Sequence, residues 1–516
     1  MEPLRVHITA YGCQMNRLDA ELAADLLRAA GAETVDAPAS ANVLMFLACS
    51  VRAHAENRVF SNIGALAARK KREPDLVIGL VGCTVQQYGP EVWERVPLAD
   101  FICAPGRLAD LPDLVREARA GRRSIALDPA RGKEEREAFG ESDARLDAVE
   151  VRGRHCVGRS RQAFVRAMRG CDMFCSYCVV PNVRGPERSR SPAAVAEEVQ
   201  RLVDRGVREV TLLGQAVNRY RFDEGGRAWD LADLVEKVAG TPGLRRLRFI
   251  TSHPKAMTAR LASLFRDVPN ICPHLHMPAQ SGSDAVLERM KRGYTAAEYA
   301  QRVAMVREAA PQVAVVSDFI VGFPGETQED FEATADLARR MRFASGFVFK
   351  YSPRPGTLAA RRYPDDVPRK EKERRHRELL DLISEIASEE NQAFVGRRVE
   401  VLVEGPAPRP WLDARAGRTC RPNGAVALPA NPPFDFAHGP EALEGQSAIL
   451  PAVALAKAGR NPQWRGRTPC HRLVVFDGPP FGGAQGRPGL AGELVMVRID
   501  RAGPITLFAS LLENGS

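Results

Sequence analysis

Short apolar runs alternate with amphipathic stretches over residues 4–120 of this 516-residue chain. Leu4–Thr9, Asn42–Leu47, Leu76–Val81 and Ala99–Ala104 read as strands, and Leu18–Ala30 places Leu18, Leu22, Leu26 and Leu27 near helical spacing. Strands and helices in alternation predict an α/β fold, here a doubly wound parallel sheet with helices on its faces. Residues 121–160 lose the periodicity and are polar, charged and punctuated by glycine, which reads as a linker.

The βα pattern resumes at Gln162 and persists to about residue 385. Strands are expected at Ala163–Met168, Glu209–Leu213, Leu247–Ile250, His274–Pro278, Val313–Val321 and Gly346–Tyr351. Helices are expected at Ser191–Arg205, Asp284–Met290, Ala296–Ala309 and Thr327–Met341. About six such units predict a partial (βα)6 barrel, with ligands at the carboxyl ends of its strands. A charged helix follows Lys370, and from Arg397 the runs VEVLVEG, HRLVVFDG and GELVMVRIDRAG, separated by glycine turns, predict a small β-barrel. The expected organisation is therefore a sheet domain over 1–120, a linker over 121–156, a partial barrel over 157–388 and a β-barrel over 389–512. A Pro/Gly-rich insertion interrupts the last at about 405–465.

Composition changes this picture little: 45% apolar and 27% charged residues describe an ordinary globular protein. No run approaches the roughly 18–20 apolar residues of a membrane span, so no membrane partner is expected. MEPLRVHITAYGC enters the first strand with no signal-peptide pattern, which points to the cytoplasm and a reducing environment. There, eleven cysteines, an odd number, suit metal ligation or catalysis better than a disulfide framework. A net charge of +9 fits a polyanionic partner such as a nucleic acid.

Cys171, Cys175 and Cys178 form Cys-x3-Cys-x2-Cys directly after the first barrel strand. Three thiolates within eight residues fit a loop around one [4Fe–4S] cubane whose fourth iron stays open; zinc would ask for a fourth ligand at comparable spacing. Cys13, Cys49 and Cys83 are far apart in sequence, yet each follows a predicted parallel strand (HITAYGC, VLMFLAC, VIGLVGC), so all three fall on one sheet edge where ligands bind. Three thiolates there can hold a second cluster. Cys103, in DFICAPG, also follows a strand and leaves that triad ambiguous. Cys156, Cys272, Cys420 and Cys470 read as structural or incidental.

The Cys-x3-Cys-x-aromatic-Cys pattern resembles the radical S-adenosylmethionine superfamily. As a set, YGCQMNRLDAE, NRVFSNIGAL, PDLVIGLVGC, GCDMFCSYCVVPNVRGPERSR, EVTLLGQAVN, FITSHPKAM, PHLHMPAQSGSDAVLERMKRGYT, DFIVGFPGETQEDF and FKYSPRPGT resemble its methylthiotransferase family, with a terminal β-barrel of the TRAM type. That resemblance implies two [4Fe–4S] clusters and S-adenosyl-L-methionine as cofactors. It assigns Cys171, Cys175 and Cys178 to the radical cluster, Cys13, Cys49 and Cys83 to the auxiliary cluster, and leaves Cys103 out. It implies that one S-adenosylmethionine methylates a cluster-bound sulfur and another yields the 5′-deoxyadenosyl radical.

Tyr177 matches the position the family uses beside the adenine. Gln215 and Gln280, at predicted strand ends, are candidates to bind the methionyl part of the cofactor or plain loop amides. Gly322, Gly325 and Glu326 suggest a tight turn beside it, Glu326 being alternatively a first-turn helix acid. Arg184, Arg188 and Arg190 are candidates for phosphate contact or for solvated surface charge.

Among the family's substrates, VVPNVRGPERSR, NRVFSNIGAL and TLLGQAVN resemble the branch acting on C2 of N6-isopentenyladenosine beside the anticodon of tRNA. Threonylcarbamoyl-adenosine in tRNA and a ribosomal-protein aspartate are the alternatives, and an RNA-binding protein with structural metal is the rival of another class. The implied partners are the tRNA anticodon stem-loop, an electron donor such as flavodoxin and a sulfur source, acting on a monomer. Two positions depart from the family pattern: Leu47-Ala48 precedes Cys49 where Asn-Thr is usual, and Ala216 follows Gln215 where Asn is usual.

Overall fold

The computed structural model describes residues 3–51, 53–129, 145–148, 161–407, 463–479 and 489–512. Cys156, Cys420, most of the expected linker and most of the expected insertion lie outside them. The N-terminal strands are β1 (Arg5–Tyr11), β2 (Glu33–Thr34), β3 (Val43–Ala48), β4 (Val77–Val81), β5 (Phe101–Cys103) and β6 (Ser124–Ala126). They form one sheet in the order β2-β1-β3-β4-β5-β6, with every pairing parallel. β3 and β4 are buried along their whole length, as strands covered on both faces must be. The sheet runs into the stretch read as linker, because a three-residue edge strand is too short to carry a periodic signal.

The central region has β7 (Gln162–Arg166), β8 (Met168–Arg169), β9 (Arg188–Ser189), β10 (Glu209–Leu213), β11 (Arg221–Glu224), β12 (Arg227–Asp230), β13 (Arg246–Phe249), β14 (His274–His276), β15 (Ala314–Val321) and β16 (Ser345–Lys350). Two parallel three-stranded sheets, β13-β10-β7 and β14-β15-β16, make the partial barrel, joined by a parallel bridge between Leu247 and Ile271. The apolar core lies inside this wall and under its helices, with Phe249, Phe319, Phe331 and Tyr299 among its largest members. The antiparallel β11–β12 ribbon was not foreseen.

The long helix Arg369–Gln392 packs on β16 and leads to the third region. There β17 (Arg398–Pro406), β18 (Gln463–Arg467), β19 (Leu473–Asp477), β20 (Leu494–Ala502) and β21 (Thr506–Leu511) close a barrel in the order β17-β18-β19-β21-β20. Trp464 and Phe476 fill its centre. No helix among the described residues is long and apolar enough to cross a membrane.

Candidate functional site

Cys13, Cys49 and Cys83 stand at the carboxyl ends of the neighbouring strands β1, β3 and β4. Glycine makes their approach possible. Gly12 has φ 139°, and a Cβ there would lie 2.3 Å from the Cβ of Cys49; Gly82 has φ 109°, and its Cβ would lie 2.8 Å from the carbonyl oxygen of Ala48. Cys13 then caps the helix Gln14–Ala29, and Cys83 opens the helix Cys83–Tyr88. A hydrogen bond from Cys49 holds the Cys13 thiol below its ordinary range, and the same bond, with burial, pushes Cys49 up. The Cys13 side of the pair is thus the one stabilised as a thiolate. Leu47 and Ala48 are fully buried in the sheet.

Cys103 ends β5, one strand further along. Its Sγ lies 3.4 Å from the Ala104 carbonyl and 3.3 Å from that of Arg107, so the thiol donates into its own loop. Burial raises it well above the ordinary thiol range, as befits a structural cysteine.

The second triad is held by a loop pinned at both ends. β8 and β9 pair across it, and the Cys171 amide donates to Gly185 at 3.1 Å. Asp172 and Glu187 exchange amide–carboxylate bonds of 3.2 and 3.1 Å. Phe174 takes φ 49°, a conformation non-glycine residues seldom adopt and one found at functional loops. Cys171 and Cys175 are buried, and burial pushes the Cys171 thiol up to about 11. Arg292 donates to Cys175 Sγ at 3.3 Å and reaches the Tyr177 hydroxyl at 3.5 Å. The Tyr177 ring packs against a small apolar cluster containing Val286, Met290, Phe323 and Tyr351.

The remaining candidates lie at the ends of successive barrel strands. Gln215 follows β10, and its buried Oε1 has no hydrogen-bond partner among the described residues. Gln280 has φ 72°, and its backbone pairs with Asp318 and Ile320 beside β15, which fixes the amide at the strand end. In VGFPGE, Gly322 has φ 68° and its amide donates to Glu326 Oε2 at 2.5 Å. Arg375 holds the same oxygen at 2.7 Å, while Glu326 Oε1 is buried without a partner among the described residues. Glu326 therefore locks the turn rather than sitting as an exposed first-turn acid.

Sequence reasoning missed Ser252 and His253, which follow β13. Ser252 Oγ and His253 Nε2 are also buried without partners among the described residues. Burial drives the imidazole down to about 3, so it stays neutral. The stretch FITSHPKAM contained both; nothing in its periodicity separated them from loop residues.

The chain that leaves the second triad packs against the first. Val179 and Val183 pack on Cys83, and the helix Val180–Arg184 lies against the helix Cys83–Tyr88. Leu213 and Ile250, at the mouth of the barrel, share an apolar cluster with β1, β3 and β4. Arg354 crosses to Glu56 at 3.2 Å and to the Val51 carbonyl at 3.1 Å. Arg184 and Arg190 correct the surface-charge reading. Both are buried; Arg190 pairs with Glu198 at 2.6 Å and Arg184 with Asp19 at 2.6 Å.

Among the described residues no three acidic, histidine or cysteine side chains converge on a single-ion site, so the fit to clusters rests on donor chemistry and surroundings. The donors are three soft thiols at each place, which suit iron–sulfur clusters. Next to Cys49 and Cys83 in sequence, Ser50 Oγ and Thr84 Oγ1, and after the strands β10 and β13, Gln215 Oε1 and Ser252 Oγ, are buried polar atoms that no described residue satisfies. Buried polar groups in this number ask for a polar occupant.

Known proteins resemble the chain throughout. The model of the Radical SAM superfamily matches residues 165–338, and that of Uncharacterized protein family UPF0004 matches residues 5–104. A protein of Rhodopirellula baltica named tRNA-2-methylthio-N(6)-dimethylallyladenosine synthase is 39% identical over 97% of this chain and 94% of its own. Proteins of the same name from Syntrophotalea carbinolica (42% identical; 77% of this chain, 88% of theirs) and Geobacter sulfurreducens (43%; 78% and 87%) agree. Among solved structures, the radical S-adenosylmethionine methyltransferase TsrM of Kitasatospora setae superimposes with a TM-score of 0.50 at 14% identity. It covers 70% of this chain and 74% of its own, a likeness of fold alone.

Proposed function

The chain belongs to the tRNA-2-methylthio-N6-dimethylallyladenosine synthase family, and from that premise we propose that its two cysteine triads are the halves of one active site. The protein is a radical S-adenosylmethionine enzyme that methylthiolates tRNA, with an iron–sulfur cluster and S-adenosylmethionine as cofactors. The finer reading is that Cys171, Cys175 and Cys178 hold the radical cluster, while Cys13, Cys49 and Cys83 hold a second one bearing the sulfur to be transferred. When bound, the clusters and S-adenosylmethionine supply an electron, a radical hydrogen abstractor and a methylated sulfur. The protein's part is placement and exclusion of water.

Tyr177 and the polar atoms of Gln215, Gln280, Ser252 and His253 line the strand ends where the cofactor would lie. The Gly322–Glu326 turn holds one wall of that space, and a neutral His253 offers a hydrogen bond without adding charge. The observation that carries the reading is the contact of Cys83 with Val179, Val183 and Arg184. It puts a cysteine of one triad against the chain leaving the other.

The substrate is C2 of N6-isopentenyladenosine beside the anticodon, a base already in single-stranded context. The positive charge and the terminal β-barrel favour RNA phosphates as the docking partner. An electron donor such as flavodoxin and a sulfur source complete the turnover of a cytoplasmic monomer. Nucleoside analysis of tRNA from a strain lacking the gene tests the substrate. Methylthio-isopentenyladenosine should disappear and its unmethylthiolated precursor accumulate; an unchanged nucleoside profile would overturn the reading.

A further inference from the structure

Arg184 belongs to the central region by sequence and to the auxiliary triad by contact. It ends the helix that begins two residues after Cys178, and its Nε lies 3.1 Å from Cys83 Sγ. The rest of the guanidinium is held by the first helix of the chain. Nη2 donates to Asp19 Oδ2 at 2.6 Å and to Asn16 Oδ1 at 3.2 Å, and Nη1 donates to Asp19 Oδ1 at 3.3 Å. Asn16 is itself fixed by a bond of 3.1 Å to the Tyr11 carbonyl, at the end of the strand that delivers Cys13. Arg184, Asp19 and Asn16 are all buried, so water does not screen their charges.

Such a fork fits two acceptors in fixed geometry, which a lysine would do less well. Here one is a carboxylate and another a cysteine sulfur, with the Asn16 amide oxygen as a third. The radical triad has a parallel arrangement, with Arg292 against Cys175.

The geometry points to Arg184 as a positioning residue that sets the reduction potential of the auxiliary cluster through Cys83, with Asp19 as its counterweight. The inference rests on the reading that Cys13, Cys49 and Cys83 hold that cluster. A hydrogen bond and a positive charge at a ligand sulfur stabilise the more negative, reduced cluster and raise its potential. A buried carboxylate beside them works the other way. Because Arg184 comes from the chain that leaves the radical cluster, the potential of one cluster is tied to the docking of the domain that holds the other.

The test is anaerobic redox titration of the reconstituted full chain, followed by the absorbance and paramagnetic signals of the clusters. The auxiliary couple is the one missing from the C13A/C49A/C83A variant. Arg184→Met should move that couple to lower potential, Asp19→Asn should move it to higher potential, and Arg184→Lys should fall between Arg184→Met and the native protein. The radical couple should stay in place throughout. If Arg184→Met fails to load the auxiliary cluster, the upward shift in Asp19→Asn still carries the inference. Lowered thermal stability with the couple unmoved in Asp19→Asn and Arg184→Lys would make the network merely structural and overturn it. If the C13A/C49A/C83A variant loses no couple, the second-cluster reading itself has failed, and this inference with it.

Discussion

At the scale of single residues, the structure separates thiols by what their sulfur meets. Cys103 is spent on the carbonyls of Ala104 and Arg107, whereas Cys83 meets a guanidinium, which offsets part of the burial that still pushes its thiol up. Cys103→Ala should therefore leave the iron content of the reconstituted protein unchanged and lower stability by about 1–2 kcal/mol, the cost of a lost buried contact. Iron analysis and thermal unfolding check both parts. Gln215 is proposed as a cofactor ligand because its buried Oε1 lacks a partner among the described residues. Gln215→Ala should weaken S-adenosylmethionine binding while retaining both clusters, as read by calorimetric titration of the loaded protein; undiminished affinity would remove it from the site. The Cys-x3-Cys-x2-Cys loop was legible from spacing alone. The contacts of Arg184 and Arg292 with sulfur were not, because an arginine beside a cysteine distant in sequence leaves no periodic trace.

At the scale of elements, most strands and helices follow their hydrophobic pattern closely. Glu209–Leu213 and Ala296–Ala309 have the expected limits, because the apolar pattern there coincides with real burial. The helices Leu231–Ala239 and Ala259–Asp267 went unread, although Asp230 and Thr258 carried the N-cap signal. The polar residues of β10 and β13 mislead in another way: Glu209, Arg246 and Arg248 look solvent-facing but are buried, because the C-terminal barrel covers them. Arg248 donates to Glu209 at 3.0 Å and to the Pro469 carbonyl at 2.7 Å, and Arg246 reaches the Arg467 carbonyl at 3.0 Å. Burial pushes the Glu209 carboxyl up, and Arg248 with Arg246 more than reverses it, leaving it below its usual range. A depressed carboxyl stabilises the fold above its unfolded value, near about 4.3, and loses that contribution as the pH falls through its folded value. Glu209→Gln should cost about 3–5 kcal/mol at pH 7, as for a broken buried pair. The difference from the native protein in thermal unfolding should shrink below pH 4; a pH-independent difference would contradict the assignment.

At the scale of the whole molecule, three regions are stacked so that the sheet domain covers the mouth of the partial barrel and the small barrel closes its other end. Alternation along the chain predicted each region, but not that Cys83 would lie against the helix after Cys178, since docking depends on surfaces rather than on periods. A chain of net charge +9 that docks on tRNA phosphates should bind it with an affinity that falls linearly in log–log terms as salt rises. Fluorescence anisotropy with a labelled anticodon stem-loop measures that slope, and a flat dependence would remove phosphate docking from the account. The claim that joins the scales is that the two triads do different halves of one reaction. Its direct test is the C13A/C49A/C83A variant, reconstituted anaerobically and given S-adenosylmethionine, a reductant and isopentenylated tRNA. Iron should fall from about eight to about four per chain, at four per cluster, while 5′-deoxyadenosine is still made and no methylthio-adenosine appears. Methylthiolated product from that variant, or an iron content equal to that of the native chain, would contradict it.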